Sequence, residues 1–231
     1  MRGNNVHKQA RYSTKSSART RDFTPASDPA KDKVVEAALE LFVSHGYEGT
    51  STEDVATAAR ASKSTIYSRF RSKEDLFTAV MLAACQGVDA PSIEDLDQYP
   101  TLPEALAAAA KATLYRVLQP RGLAVLEVGI GAKKSNPVAM KIYWENGPGV
   151  AQKFVRKALQ REKDAGRIDC GNLSRAASRF MNMIFGPFLY GAMFAGEKLP
   201  TRSQIDQELD TTIHHFLEWV KLSRKIDRRR K

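Results

Sequence analysis

Hydroxyl, phenol and basic side chains are concentrated between residues 50 and 76 of this chain. Five basic residues and no acidic residue lie from Arg60 to Lys73, although acidic residues are frequent on either side. Such a local excess of positive charge suits a polyanion. Short hydroxyls and a phenol can reach base edges or phosphate oxygens without holding a helix away from a groove. The chemistry that this stretch favours is therefore the binding of nucleic acid.

Two short helices are predicted to position these groups. Ser51 precedes Asp54 by three residues, which is a capping-box pattern at the start of the first helix. Ser62 can cap the second helix, on which Ile66 and Phe70 stand four residues apart and point together into a core. The polar residues between them must then face outward, and the whole pattern predicts a helix-turn-helix. The DNA-contacting residues that we predict are Ser51, Thr52, Ser62, Lys63, Ser64, Thr65, Tyr67, Ser68, Arg69 and Lys73.

The same stretch contains the motifs T-S-T-E-D-V-A, A-x-A-S-K-S-T-I-Y-S-R-F and S-K-E-D-L. These motifs resemble the DNA-binding domain of the TetR family of repressors. Family patterns usually have Gly-Val where this chain has Arg60-Ala61, and Gly where it has Ser64. A non-glycine residue must therefore occupy the turn. One way to form the turn is for that residue to adopt a left-handed backbone conformation. The structural alternative is a helix pair whose tyrosine and phenylalanine simply belong to a core.

The chain is predicted to be all-α, with two domains between basic ends. A first helix from residue 28 and a fourth over residues 73–86 complete a DNA-binding domain over residues 28–87. A polar, proline-bounded segment follows, and the larger helical domain for ligand binding and dimerisation occupies residues 88–222. We found no stretch with the alternating pattern of a strand, and no repeat.

The formal net charge of +10 resides in the two ends of the chain. Residues 1–21 hold six basic residues and no acid, and residues 222–231 hold six basic residues and one acid. We predict a disordered basic arm over residues 1–27 and a basic tail over residues 223–231. These ends favour non-specific attraction to nucleic acid, with improved solubility as the plainer explanation.

Two distant cysteines argue against a disulfide framework or a zinc site, and a reduced cytoplasm fits best. No stretch reaches the roughly 18 apolar residues of a membrane span, and the N-terminus has no apolar signal region.

His214 and His215 are adjacent on a helix and point to different faces, unlike the two histidines of a metal site, which stand four residues apart. We predict no catalytic residue, no metal site and no cofactor, because no phosphate loop, nucleophile elbow or spaced ligand set is present.

The C-terminal half contains P-x-A-x-x-x-Y-x-E-x-G-P at residues 137–148 and A-G-R-I-D at residues 165–169. It resembles the AefR-like group of TetR C-terminal domains. The resemblance implies that the last two helices pair with their copies in a four-helix bundle, and the helix over residues 172–195 is apolar nearly all round, so it needs more than one cover. Packing within one chain is the alternative. The interface residues that we predict are Phe188, Met193, Ile213, Phe216 and Leu217.

Aromatic residues with polar tips could orient a small molecule in an apolar pocket of the larger domain. A place in the core is an equally good explanation for each of them. The ligand-binding residues that we predict are Tyr115, Trp144, Met181, Phe185 and Tyr190. These features together predict a cytoplasmic, homodimeric transcription regulator that binds a double-stranded DNA operator and is most simply a repressor released by a small apolar inducer. The alternatives are a ligand-independent nucleoid-type DNA binder and an all-α enzyme.

Overall fold

The computed structural model describes residues 28–86 and 90–228, with side chains described as far as residue 220. Over these residues it contains helices and turns and no strand, which confirms the all-α prediction. The predicted basic arm and the last residues of the predicted tail lie outside the described ranges. No helix in the described part of the chain combines the length and the apolarity needed to cross a bilayer.

Four helices form the N-terminal domain, and an oxygen-bearing side chain starts each of them. The helices are α1 (Pro29–His45), α2 (Thr52–Ala58), α3 (Lys63–Arg69) and α4 (Lys73–Ala83). The N-cap residues, whose side chains accept hydrogen bonds from first-turn N–H groups, are Asp28, Ser51, Ser62 and Ser72. Helix α4 ends at Ala83, three residues before the predicted end, because the chain turns at residues 84 and 85.

An aromatic cluster holds these helices together. The rings of Phe42 and Phe77 meet edge to face with centroids 5.0 Å apart, and the Tyr47 ring lies 4.7 Å from that of Phe77. Ile66 and Phe70 are buried in the same core. The two apolar residues predicted to anchor the second helix of the pair therefore do so, and the other faces of α3 are left to solvent.

The larger domain begins with a 3-10 helix over Ile93–Gln98. Its α-helices are α5 (Leu102–Val117), α6 (Pro120–Gly131), α7 (Pro137–Asn146), α8 (Pro148–Asp164), α9 (Leu173–Phe194) and α10 (Arg202–Arg228). A proline occupies the first turn of each helix from α5 to α8, where its missing N–H costs nothing. The Gly147–Pro148 step separates α7 from α8, as the sequence predicts.

Small residues let the helices of this domain approach closely. Helix α5 buries Ala105, Ala109 and Ala110 in a core shared with α8, α9 and α10. The rings of Phe180 and Phe216 meet inside this core, with centroids 5.1 Å apart. The small alanine side chains and the paired rings thus bring four helices into one close-packed core.

Phe216 and Ile213 require a correction to the predicted dimer interface. Phe216 has no exposed surface within the single chain, and Ile213 is 7% exposed. Both side chains lie on the face of α10 that packs against α5 and α9, so the monomer already covers them. They are core residues, because the apolar stripe of α10 is used within the chain.

The two domains share apolar packing. Val125 of α6 and Ala139 and Tyr143 of α7 belong to the same buried cluster as α1 and α4. If a side chain were added at Gly129, its Cβ would lie 2.9 Å from the terminal methyl carbon of Met81 on α4. Because these helices are in contact, a displacement of α6 or α7 would also displace α4.

Polar contacts reinforce this junction. The Asn136 amide donates to the Glu74 carbonyl at 3.2 Å, inside the first turn of α4. Arg121 makes two hydrogen bonds to the Glu36 carboxylate at 2.5 and 2.6 Å, which joins α6 to α1. This geometry is the bidentate one that guanidinium and carboxylate favour. The larger domain thus holds both α1 and α4.

Candidate DNA-binding interface

Helix α2 begins with a complete capping box. The Ser51 hydroxyl accepts from the Asp54 N–H at 3.1 Å, and the Ser51 N–H donates to the Asp54 carboxylate at 2.9 Å. The Ser51 hydroxyl also hydrogen-bonds that carboxylate, which lowers the pKa of Asp54. These bonds fix the direction in which the first turn of α2 presents Thr52.

Three hydroxyls are gathered at the start of α3. The Ser62 Oγ lies 2.7 Å from the Ser64 Oγ and 2.8 Å from the Thr65 Oγ1, and it accepts from the Thr65 N–H. Ser64 and Ser68 are exposed. Hydroxyl groups of this kind can exchange their mutual hydrogen bonds for bonds to base edges or phosphates.

Tyr67 links α3 to α2 at the surface. Its side chain is 50% exposed, and its phenol oxygen lies 3.0 Å from the Thr52 Oγ1. Both residues line a cleft of about 540 Å³ that also contains Ser51 and, from the start of α4, Lys73. The Lys73 ammonium lies 4.4 Å from the centre of the Tyr47 ring. Four of the predicted DNA-contacting residues thus come together from three helices.

Most of the basic residues here are paired with carboxylates. Lys63 Nζ lies 2.8 Å from Glu53, and Arg69 Nε lies 2.8 Å from Asp28. These contacts raise the pKa of Lys63 and lower the pKa values of Glu53 and Asp28. Arg71 is paired with Asp75 across one turn, at 3.2 Å.

The carboxylate partners were missed by sequence reasoning. Asp28 is 41 residues from Arg69, so no local pattern joins them. The sequence only weakly indicates the pairings of Glu53 and Asp75. An acidic residue near the start of a helix is already explained by its favourable interaction with the helix dipole. The free positive charge of the interface is therefore smaller than the run of basic residues suggests.

Two family profiles match this chain. Residues 34–80 match the bacterial regulatory proteins of the tetR family, and residues 104–219 match the C-terminal domain of AefR-like transcriptional repressors. The chain belongs to the TetR family of transcriptional regulators. Its α2–α3 pair is the helix-turn-helix of a DNA-binding protein.

Relatives and solved structures of this TetR-family regulator agree with the assignment. The uncharacterised HTH-type regulator YvkB of Bacillus subtilis is 23% identical over 70% of this chain and 82% of its own length. The regulator TcmR of Streptomyces glaucescens is 29% identical over 60% of this chain and 58% of its own length. The solved structure of the flavonoid-responsive regulator FrrA superposes with a TM-score of 0.67 and 25% identity, covering 83% of this chain and 97% of that one.

The predicted ligand-binding residues lie in different surroundings in this TetR-family regulator. Met181 is buried in the core, and Phe185 packs partly buried against it. The Tyr115 hydroxyl donates to Asp206 on α10 at 2.5 Å. Trp144 and Tyr190 are exposed, and the Tyr190 ring stacks on that of Phe194. A ligand cavity shared by these five residues stays a prediction.

The remaining predicted interface residues occupy the surface of α9 and α10. Phe188 and Met193 on α9 and Leu217 on α10 are partly buried. Phe194, beside Met193, is 78% exposed. Its ring stacks on the exposed ring of Tyr190, and adjacent exposed apolar side chains are the kind of surface that a partner covers. The family resemblance implied that residues 180–194, and so Phe194, supply part of the dimer interface, although Phe194 is not among the five interface residues predicted by name.

Proposed function

We propose that this regulator binds a pseudo-palindromic operator as a homodimer and acts as a repressor, which a small, largely apolar molecule releases. The cleft lined by Thr52, Tyr67 and Lys73 carries the proposal, because it offers a hydroxyl, a phenol and an ammonium to a phosphate. Three carboxylates also line this cleft, and each already has a partner: Glu48 accepts from Ser135, Glu53 pairs with Lys63, and Asp54 accepts from the Ser51 N–H. The exposed hydroxyls of α3 beside it would read base edges.

In this proposal, α3 lies in the major groove and α2 and α4 hold the sugar-phosphate backbone on either side. Lys63, Ser64 and Ser68 are the exposed side chains of α3 that would reach base edges or flanking phosphates. Ser51 and Ser62 would act mainly by positioning, since each caps a helix. Arg69 would do the same, because its side chain is paired with Asp28 and only 28% exposed, whereas the side chain of Lys63 is 64% exposed despite its pair with Glu53.

Release by a ligand would work through α4. Two recognition helices fit successive major grooves only when they are separated by about one helical turn, roughly 34 to 36 Å. The packing of Met81 beside Gly129 and the Asn136 hydrogen bond to Glu74 support a rigid connection from α6 and α7 to α4. A ligand that displaced α6 or α7 would change the separation of the two α3 helices.

The proposed inducer is small and largely apolar, and its site lies in the larger domain. FrrA, a structural relative, is described as flavonoid-responsive, which supports an aromatic ligand class here. The five aromatic and methionine residues predicted above are the proposed contacts. A protein that acts on bacterial chromosomal DNA would work in the cytoplasm.

Selection of bound duplexes from a random pool tests the proposal. Wild-type protein should enrich a site with two inverted half-sites, and Tyr67→Ala should lose the enrichment while keeping its thermal midpoint, because Tyr67 is half exposed. The control is Val138→Ala, which shortens an exposed apolar side chain on α7 and should enrich the same site. Uniform recovery of all duplexes would support a nucleoid-type binder, and recovery of none would contradict DNA binding by this chain.

A further inference from the structure

The turn between α2 and α3 contains a strained arginine. Arg60 has a φ of +50°, and it is the single non-glycine residue with positive φ in the described ranges. The Arg60 N–H donates to the Thr57 carbonyl at 3.1 Å, and the Ala61 N–H donates to the Ala56 carbonyl at 2.9 Å. This is the helix-ending motif in which glycine is favoured, because a Cβ is disfavoured in the left-handed region.

The Arg60 side chain differs from the neighbouring basic side chains, because it has no partner among the described residues. Lys63, Arg69 and Arg71 are each paired with a carboxylate, and Lys73 lies over the Tyr47 ring. Arg60 is exposed, and among the residues that the structure describes it makes neither an ion pair nor a side-chain hydrogen bond. Among the described residues, no side-chain contact of Arg60 therefore offsets the cost of its left-handed backbone.

The position of Arg60 places its charge beside the recognition helix. It stands two residues before Ser62, the N-cap of α3, so its Cα lies within about 7.6 Å of that of Ser62. An arginine side chain extended towards α3 would be long enough to reach the first turn of that helix. Its planar guanidinium can bind two oxygens of one phosphate, and it remains charged at any physiological pH.

We propose that Arg60 is a DNA-backbone contact, which grips a phosphate at the edge of the groove that receives α3. Resting on the DNA-binding function proposed above, it adds a residue that the sequence-based set did not include. Strain at a functional position is retained when the strained residue contributes to binding. Arg60 would thus lower the stability of the free protein and raise the affinity of the protein for DNA.

The test compares four variants on one labelled duplex, selected by the wild-type protein from a random pool. Arg60→Gly and Arg60→Asn remove the charge with residues that tolerate positive φ, and Arg60→Lys keeps the charge. Arg156→Ala removes an exposed charge from α8 and is the matched control. Affinity is measured by fluorescence anisotropy over a range of salt concentrations, and unfolding is followed by circular dichroism.

Arg60→Gly and Arg60→Asn should weaken binding by about tenfold and lower the salt slope by about 0.9 for each phosphate that the protein no longer neutralises. Arg60→Gly should at the same time raise the thermal midpoint, since the left-handed strain is relieved. Arg60→Lys should keep the salt slope, and Arg156→Ala should match wild type in both measurements.

An unchanged affinity and salt slope in Arg60→Gly, with wild-type protein binding the selected duplex, would overturn the Arg60 contact and leave the proposed function standing. An equal reduction of affinity in Arg156→Ala would also overturn it, because net charge alone would then explain the effect. If wild-type protein selects no duplex, the Arg60 contact and the proposed function fail together.

Discussion

The electrostatics of the recognition helix depend on single carboxylates. Lys63 and Glu53 form an ion pair in the free protein, with Lys63 64% and Glu53 49% exposed at the side chain. Lys63 must leave or share this pair to neutralise a phosphate, so Glu53 competes with DNA for it. The negative charge of Glu53 also repels the approaching backbone.

Glu53→Gln is therefore expected to bind the selected duplex more tightly than wild type, with a salt slope steeper by about 0.9 for each phosphate newly neutralised. The thermal midpoint should barely change, because exposed ion pairs stabilise little. Anisotropy titrations at several salt concentrations provide the measurement. Glu94→Gln, which removes an exposed acid from the 3-10 helix, is the control and should behave as wild type. Weaker binding by Glu53→Gln would mean that Glu53 orients Lys63 for DNA rather than restraining it.

Glu162 is a second carboxylate whose environment has consequences, here for stability against acid. It is 7% exposed and accepts two hydrogen bonds from Arg167, at 2.5 and 3.0 Å. These bonds lower the pKa of Glu162. A carboxyl with a lowered folded pKa stabilises the protein above its unfolded pKa of about 4.3, and the contribution is lost as pH falls through the folded value.

Glu162→Gln should reduce the free energy of unfolding by about 1 to 2 kcal/mol at neutral pH, which is a discounted value because the Arg167 side chain is 57% exposed. The difference from wild type should shrink below about pH 4.3. Urea unfolding at neutral and acidic pH checks both statements. Glu145→Gln disrupts only an exposed pair with Lys141 and should cost little at any pH. A pH-independent difference would assign the cost to packing.

At the scale of elements, the corner between α5 and α6 depends on one glycine. A Cβ at Gly122 would collide with the carbonyl oxygen of Arg116 and lie 2.6 Å from that of Val117. Backbone atoms in a helix end cannot move aside as a flexible side chain can. Helix α6 follows α5 after a turn of two residues only because this position has no side chain.

Gly122→Ala should therefore destabilise the protein by about 1 to 3 kcal/mol, as overpacking in a tight site does. Gly131→Ala is the matched control on the same helix, where a Cβ would meet open space. Its stability should equal or slightly exceed that of wild type, because alanine favours the helix. Thermal unfolding of both variants makes the comparison, and equal stability would show that the corner can relax.

Helix starts were predictable from the sequence because their signals are local. Ser51 with Asp54, Thr101 with Glu104 and the prolines at first turns act within four residues. The anchoring of α3 by Ile66 was predictable from helical spacing for the same reason. The Asp28–Arg69 pair and the burial of Phe216 were not, because they depend on which helices meet, and apolar periodicity marks a buried face without naming its partner.

At the scale of the whole molecule, apolar side chains near the end of α9 are exposed in the part of the chain that the structure describes. Tyr190 and Phe194 are 67% and 78% exposed, and their rings stack on each other. Met193, which precedes Phe194 in the chain, is partly buried, and Phe188 packs partly buried against the core. Contiguous apolar surface of this kind is costly in water unless a partner covers it, and a second copy placed about a two-fold axis would cover it symmetrically.

Met193→Glu should prevent this association, because a carboxylate buried at the interface would have no partner. We expect a folded monomer with much weaker binding to the selected duplex, since the two half-sites would no longer be bound together. Sedimentation velocity at micromolar concentration measures the mass, and circular dichroism verifies the fold. Val138→Glu places the same charge at an exposed apolar position on α7 and should remain dimeric. If Met193→Glu sediments as a dimer with wild-type affinity, the subunits associate through a surface other than the end of α9.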